Sequence, residues 1–259
     1  MLKGVSLAAY LVASILAVWA LYQPQRATWA RWTLAAGWAA QSWWLVRLGE
    51  QVDGLPILTL SAWLAVLAWL VAGFALLAMA CGHRYRSMGG FLLPVAFVLW
   101  SIDAGLLPRA RSATGRLHGW LLVHIGSATA AVVVFLLAAV VGLMYTEKER
   151  ELRHKSVEVF YYRLPALQEM DRLSALLAAI GLLLWLLAIG AGWMVVSSSR
   201  STTVSLFNVT ALWALITAGA YATYLAMRQF GGWRGRRAAV LLMTLFMVVA
   251  VNFMTIGRL

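Results

Sequence analysis

Long runs of apolar residues alternate with short polar segments along the whole chain. A helix that crosses a bilayer needs about 20 predominantly apolar residues. Eight runs reach that length, at 4–22, 28–48, 55–81, 89–107, 117–145, 172–197, 204–226 and 237–256. The pattern predicts an all-α membrane protein, a single bundle of eight transmembrane helices in one domain, 1–259. The first run is too long for a cleaved signal peptide, so we expect it to be retained.

The composition agrees with this prediction and excludes several classes of protein. Hydrophobic residues make up 63% of the chain and charged residues 12%, whereas soluble domains have about 45–50% and about 25%. Such a chain is neither a soluble enzyme nor disordered. Its one cysteine, Cys81, excludes a disulfide framework and a cysteine-based metal site. Because HExxH, GxSxG, P-loop and dinucleotide-binding motifs are also missing, we do not expect an enzyme.

The basic residues indicate how the helices are oriented. The net charge is +12, which in a membrane protein usually reflects topology, so nucleic-acid binding is not expected. The loops after the first, third, fifth and seventh runs carry about twice as many Lys and Arg residues as the opposite side. The positive-inside rule then places both termini in the periplasm or outside the cell. Arg109, Arg111 and Arg116 cluster on that outer side, against the trend.

The one long connection, 146–171, is charged and mixed in sign, and we expect it to be helical up to Pro165. One interpretation is a solvated extension of the fifth span that lies along the cytoplasmic surface. The other is a docking site for a cytoplasmic partner protein.

Several polar side chains fall inside the apolar runs, in the outer third of the membrane and at about the same depth. Polar groups are costly in hydrocarbon and commonly mark an interior site or pathway. The members of this polar layer are Gln41, Ser61, Asp103, His124, Asn208, Thr210 and Asn252. The tryptophans at the same depth are Trp43, Trp44, Trp63, Trp100, Trp120, Trp193 and Trp213. An interfacial aromatic belt explains tryptophans alone, but the mixed layer suits a large planar ligand with polar edges, such as a porphyrin.

His124 is the strongest ligand candidate in the polar layer. Imidazole commonly binds metals and haem iron, and its second nitrogen usually needs an acceptor that fixes the tautomer. Asp103, at similar depth on the preceding span, is the nearest candidate acceptor. The alternative is a histidine that is hydrogen-bonded within the bundle, for example to Ser127. His118 lies on another face of the same helix and is expected at the rim of the membrane.

Four segments carry a family resemblance. The first is LHGWLLVHIGSATAAVVVFLLAAVVGLMYTEKERELRHK (117–155), in which a histidine opens a span that ends in a charged run. The others are LPALQEMDRLSALLAAIGLLLWLLAIGAG (164–192), LWALITAGAYATYL (212–225) with GWRGRRAA (232–239), and GGFLLPVAFVLW (89–100). In order and spacing these segments resemble the cytochrome c assembly protein family, which includes CcsA-type and CcmC-type proteins. They are most similar to its short, eight-span HemX/YpjD-like branch.

The resemblance implies a haem-handling bundle in the bacterial inner membrane, with its site toward the outer face. His124 matches the family's first haem-ligating histidine. The second is expected at 203–210, where this sequence has no histidine, and a histidine often seen in the second span is replaced near Gln41. Three possibilities follow: ligation by His124 alone, an unusual second ligand, or a member that no longer binds haem.

Our first functional hypothesis is a haem-associated membrane protein that assists cytochrome c assembly or haem trafficking. His124 is its axial ligand, and Asp103 orients the imidazole. The candidate stacking walls are Trp63, Trp100 and Trp120, and the candidate partners of the haem propionates are Arg109, Arg111 and Arg116.

The alternative hypothesis is a non-catalytic, HemX-like membrane subunit that acts through protein contacts. Its partner would be a cytochrome c assembly or haem-biosynthesis protein, bound by 146–171 or by the bundle. A small-molecule permease is a third possibility, but no internal inverted repeat is visible in the sequence.

Overall fold

A computed structural model describes residues 2–52, 60–81, 85–105, 119–154, 164–198 and 209–256. These residues form eight α-helices: α1 (Leu2–Tyr22), α2 (Arg26–Val52), α3 (Leu60–Ala80), α4 (Met88–Gly105), α5 (Gly119–Arg153), α6 (Leu167–Ser198), α7 (Val209–Phe230) and α8 (Arg236–Ile256). No strand occurs among the described residues. The all-α class predicted from the sequence is confirmed.

Five of these helices, α1, α3, α5, α6 and α7, are long and apolar enough to cross a membrane. Helix α4 is apolar but shorter. Helices α2 and α8 coincide with predicted spans but are not among these five; α2 contains Arg31, Gln41 and Arg47, and α8 begins with Arg236 and Arg237. The chain is therefore a multi-pass membrane protein. The count of eight spans and the side of the termini stay predictions.

Helix α5 has 35 residues and continues from its apolar run into the charged connection as far as Arg153. The helix predicted for this part of the connection is thus confirmed up to Arg153, and 155–163 lie outside the described residues. Lys148 and Glu151 are each only 8% exposed. The charged end of α5 is therefore not a fully solvated extension.

The chain groups into two compact units, and the first holds residues 1–116 and 150–165. In this unit α1 and α3 each pack against both α2 and α4, so the four helices form a closed ring. Ala13, Ala30 and Ala68 on three of these helices are fully buried. Small side chains at such positions let helix backbones approach closely.

The second unit holds residues 117–149 and 166–259, and in it α6 packs against α7 and α7 against α8. Phe135 of α5 stacks on Tyr221 of α7, with ring centroids 3.7 Å apart. A Cβ added at Gly181 of α6 would lie 2.5 Å from the same phenylalanine ring. Phe135 therefore fixes α5 against both α6 and α7. The single domain predicted for the whole chain stays a prediction.

Candidate functional site

His124 lies near the start of α5, beside α6, and its side chain is half-buried. Its Nδ1 atom is 2.7 Å from the carbonyl oxygen of Ala188 in α6. A carbonyl oxygen only accepts hydrogen bonds, so in the neutral ring Nδ1 carries the proton and donates it. Nε2 is then the unprotonated nitrogen, whose lone pair can bind a metal.

Gly192 gives the imidazole room against α6. A Cβ added at Gly192 would lie 2.9 Å from Nδ1 of His124 and 3.1 Å from its Cε1. Gly192 lies one helical turn after Ala188, so one face of α6 supplies both the acceptor and the space. Among the described residues, the orientation of the ring is therefore set by the backbone of α6 and not by another side chain.

This geometry corrects the partner that the sequence suggested for His124. The acceptor of its Nδ1 proton is the backbone of Ala188, and neither Asp103 nor Ser127 has that role. The hydroxyl of Ser127 instead donates to backbone carbonyl oxygens of its own helix. A backbone acceptor leaves no residue-type signature, which is why the sequence pointed to a carboxylate.

Asp103 belongs to a buried ion pair in the first unit. Its side chain is fully buried, with Nζ of Lys3 2.8 Å from Oδ2, and the hydroxyl of Ser61 donates to Oδ1. The same Nζ lies 4.6 Å from the ring centroid of Trp44 and 5.3 Å from that of Trp100. Lys3 thus compensates the charge of Asp103, which explains how a carboxylate lies inside an apolar run.

The three candidate wall tryptophans differ in exposure. Trp100 is fully buried, and its Nε1 donates to Oγ of Ser6 at 3.0 Å, so its ring is enclosed by protein. Trp63 is half-buried in α3. Trp120 is 51% exposed and lies one turn before His124 on the same face of α5. Trp120 therefore combines open ring surface with a position beside the imidazole.

Gln41, another member of the polar layer, is satisfied inside the first unit. Its side chain is fully buried, accepts a hydrogen bond from the hydroxyl of Tyr10 at 2.5 Å, and donates to the carbonyl oxygen of Ala65 at 3.0 Å. Like Asp103, it lies in the core of the first unit, and the membrane depth expected for both residues stays a prediction. The sequence-predicted positions outside the described residues are Arg109, Arg111, Arg116, His118 and Asn208.

Within the described ranges, no group of three or more His, Cys, Asp or Glu side chains could hold a metal ion. This part of the chain therefore offers no multi-ligand metal centre. Axial ligation of a haem iron needs fewer protein ligands, since one imidazole is enough. His124 supplies one imidazole, and in the neutral ring its Nε2 is unprotonated.

A second polar cluster, which the sequence did not reveal, links the start of α6 to the end of α7. Nη1 of Arg228 donates to Oδ1 of Asp171 at 3.0 Å, and Nη2 donates to the carbonyl oxygen of Asp171 at 2.9 Å. The backbone N–H of Gly235 also donates to Oδ1, at 3.0 Å. From the sequence, Arg228 counts toward the topology and Asp171 ends the charged connection 146–171. The sequence feature that indicates this contact is the pair of opposite charges, Asp171 and Arg228, at the adjoining ends of two successive helices.

The model of one protein family, described as cytochrome C assembly protein, matches residues 32–258. The cytochrome c biogenesis protein CcsA of Prochlorococcus marinus strain MIT 9215 is 30% identical over 196 residues, which cover 64% of this chain and 61% of the relative. The protein HemX of Bacillus subtilis is 26% identical over 235 residues, which cover 89% of this chain and 84% of the relative.

This chain spans about three fifths of the length of the CcsA relatives that it matches first, 61% for the strain MIT 9215 protein. It spans more of HemX, at 84%. No solved structure matches the chain.

Proposed function

The chain belongs to the cytochrome c assembly protein family, and on this premise we propose that it is a haem-associated membrane protein. It assists cytochrome c assembly or haem trafficking, with His124 as an axial ligand of the haem iron. The family membership itself confirms the resemblance that the sequence motifs carried. The role of His124 rests on the geometry of the second unit.

The hydrogen bond from Nδ1 of His124 to the carbonyl oxygen of Ala188 carries this proposal. Histidines that bind metals almost always donate their other ring N–H to a carbonyl, a carboxylate or water, which fixes the tautomer and makes the ligating nitrogen more basic. The 2.7 Å contact supplies that second partner. Among the described residues, no further partner of the imidazole competes for Nε2.

The surroundings of His124 suit a flat, largely apolar ligand. Trp120 offers a ring that is 51% exposed one turn away, and Val123 beside the histidine is 37% exposed. Bound haem supplies an iron that accepts the axial nitrogen. The protein's part is to hold Nε2 in one orientation, through Ala188 and Gly192, and to offer an aromatic surface. Contacts of the propionates with Arg109, Arg111 and Arg116 belong to the same proposal.

We place the protein in the bacterial inner membrane with eight spans and both termini in the periplasm. The eight helices coincide with the eight apolar runs, and an even number of spans leaves both termini on one side. The distribution of Lys and Arg supports a periplasmic position for that side. In this orientation His124 lies toward the periplasm.

A second candidate function is a non-catalytic subunit that acts through protein contacts, with haem binding lost. Two observations favour it. The match covers 84% of HemX but only 61% of the CcsA relative, and residues 203–210 hold no histidine. The proposed partner is then a cytochrome c assembly or haem-biosynthesis protein.

An absorption spectrum of the detergent-purified protein distinguishes the two candidates. The protein, His124→Ala and the control His154→Ala are expressed with added haem precursor and measured as isolated and after dithionite. His154 is exposed at the far end of α5 and has no place in the proposed site. We expect a Soret band that shifts on reduction, persists in His154→Ala and is mostly lost in His124→Ala.

A flat spectrum of the unsubstituted protein would overturn haem carriage and favour the subunit function. A Soret band of equal size in His124→Ala would keep haem binding but remove His124 as the ligand.

A further inference from the structure

A cavity of about 710 Å³ opens at the start of α6 and the end of α7. Its polar lining comprises Gln168, Asp171, Arg172, Arg228, Gln229 and Arg234. It lies far from the candidate haem site, because Asp171 and Ala188 are separated by about 26 Å along α6 at 1.5 Å per residue. The haem-associated function proposed above does not use this cavity.

The charges of the lining are unbalanced in favour of an anion. Three guanidinium groups face a single carboxylate, that of Asp171. Asp171 is already engaged by Arg228 and by the backbone N–H of Gly235. Arg172 and Arg234 are exposed, and within the described part of the chain no salt bridge to either is found, although Arg234 also interacts electrostatically with Asp171. Three guanidinium groups against one carboxylate still leave the cavity with a net positive charge.

Neutral donors point to the same class of ligand. The amide groups of Gln168 and Gln229 line the cavity and can donate hydrogen bonds to an oxyanion. Gln168 also lies in the first turn of α6, where the partial positive charge of the helix end favours an anion. Arginine groups that converge with such donors suit a phosphate group.

The apolar surroundings indicate that the phosphate is attached to a lipid. Phe230 lines the cavity and is 88% exposed, and Trp233 next to it is 37% exposed. Exposed aromatic rings at the end of a spanning helix are typical of the membrane interface. A stripe of exposed apolar residues begins on α6 one turn after Arg172. It is formed by Leu176, Ile180, Leu183 and Leu187. An acyl chain can lie along this stripe with its headgroup in the cavity.

We propose that this cavity binds the phosphate group of an anionic phospholipid, held by Arg172 and Arg234. Arg228 has a different role, since its hydrogen bonds to Asp171 shape the cavity wall. Basic pockets between helices at the membrane surface are a known way of binding acidic headgroups. The site is independent of whether haem is bound.

The test is a titration of the full-length protein in a neutral detergent with dioctanoyl phosphatidylglycerol. The variant Arg172→Gln/Arg234→Gln removes the two arginines that do not hydrogen-bond to Asp171 and leaves Asp171 and Arg228 in place. The matched control Arg236→Gln/Arg237→Gln removes two exposed charges at the start of α8 that do not line the cavity. We expect saturable binding that weakens about tenfold or more in the first variant and less than about twofold in the control.

Dioctanoyl phosphatidylcholine and inorganic phosphate are the comparison probes. Equal binding of phosphatidylcholine, or an equal loss in both double variants, overturns the proposal of a specific anionic site. Equal binding of inorganic phosphate shows an anion site without lipid and overturns the lipid assignment. A thermal melt of each variant identifies a loss of binding that reflects a loss of folding.

Discussion

The imidazole of His124 in α5 donates from Nδ1 to the carbonyl oxygen of Ala188 in α6, over 2.7 Å. Because the acceptor is a backbone atom, no side-chain substitution at 188 removes it. The tautomer of His124 is therefore a property of how α5 and α6 pack together. The ligand function of Nε2 depends on that packing as much as on the histidine itself.

We expect Gly192→Ala to disturb His124 without replacing it. The added Cβ would lie 2.9 Å from Nδ1, so the ring or α6 has to shift. Loss of a partner that orients a metal ligand typically lowers affinity by about 10–100-fold, and we expect haem affinity to fall within that range. The measurement is a haem titration followed by the Soret band.

Gly190→Ala is the matched control, since a Cβ there has no neighbour within 4 Å. Replacing glycine by alanine inside a helix stabilises the helix by about 1 kcal/mol, and this contribution is the same for both substitutions. Equal haem affinity in the two variants would show that Gly192 does not position the imidazole.

The Lys3–Asp103 pair predicts a second set of variants. Asp103→Asn leaves the ammonium group of Lys3 without its partner in a site where Asp103 is fully buried and Lys3 is 28% exposed. Removing one member of a buried pair costs about 3–5 kcal/mol, and partial exposure of Lys3 places the expected loss at the lower end. Thermal melting of the detergent-solubilised protein measures it.

The double variant Lys3→Met/Asp103→Asn should melt at a higher temperature than Asp103→Asn, because it no longer buries an unpaired charge. A double variant that melts lower than Asp103→Asn contradicts the compensating role of Lys3.

Two glycines of the turn between α7 and α8 allow a comparison of backbone and side-chain effects. Gly232 and Gly235 have φ angles of 65° and 69°, so alanine costs about 1–2 kcal/mol at either position. Only at Gly235 does the added Cβ meet a side chain, the hydroxyl of Tyr145 at 2.9 Å. Gly235→Ala should therefore lower the melting temperature further than Gly232→Ala, by about 2–4 °C for each additional kcal/mol. Equal melting temperatures would show that the side chain of Tyr145 moves away from the added Cβ without lowering the stability of the protein.

The sequence predicted the helical class, because long apolar runs are visible in the sequence itself, and it singled out the polar residues inside those runs. Gln41 and Asp103, singled out on this ground, are both buried and bonded. Their partners were not predictable. Lys3 is separated from Asp103 by nearly the whole first unit, and spacing along the chain says nothing about such a contact.

The candidate site was predicted only in its central residue. His124 stood out as an imidazole in an apolar run, whereas Ala188 contributes a carbonyl group that every residue possesses. Gly192 could have been suspected, since glycines in a spanning helix commonly mark a close approach of another helix. The cluster of Asp171 and Arg228 was not predicted, because Arg228 was already explained by topology and Asp171 belonged to the charged connection 146–171.

The most direct test of His124 as a haem ligand is chemical rescue of His124→Gly by imidazole. The purified variant is loaded with haem, and the Soret band and its shift on reduction are followed as imidazole is added, with His154→Gly as the control. We predict weak haem binding without imidazole, and a saturable return of the spectrum of the unsubstituted protein with it. A His124→Gly spectrum that equals that of the unsubstituted protein before imidazole is added, or that imidazole leaves unchanged, would contradict ligation by this residue.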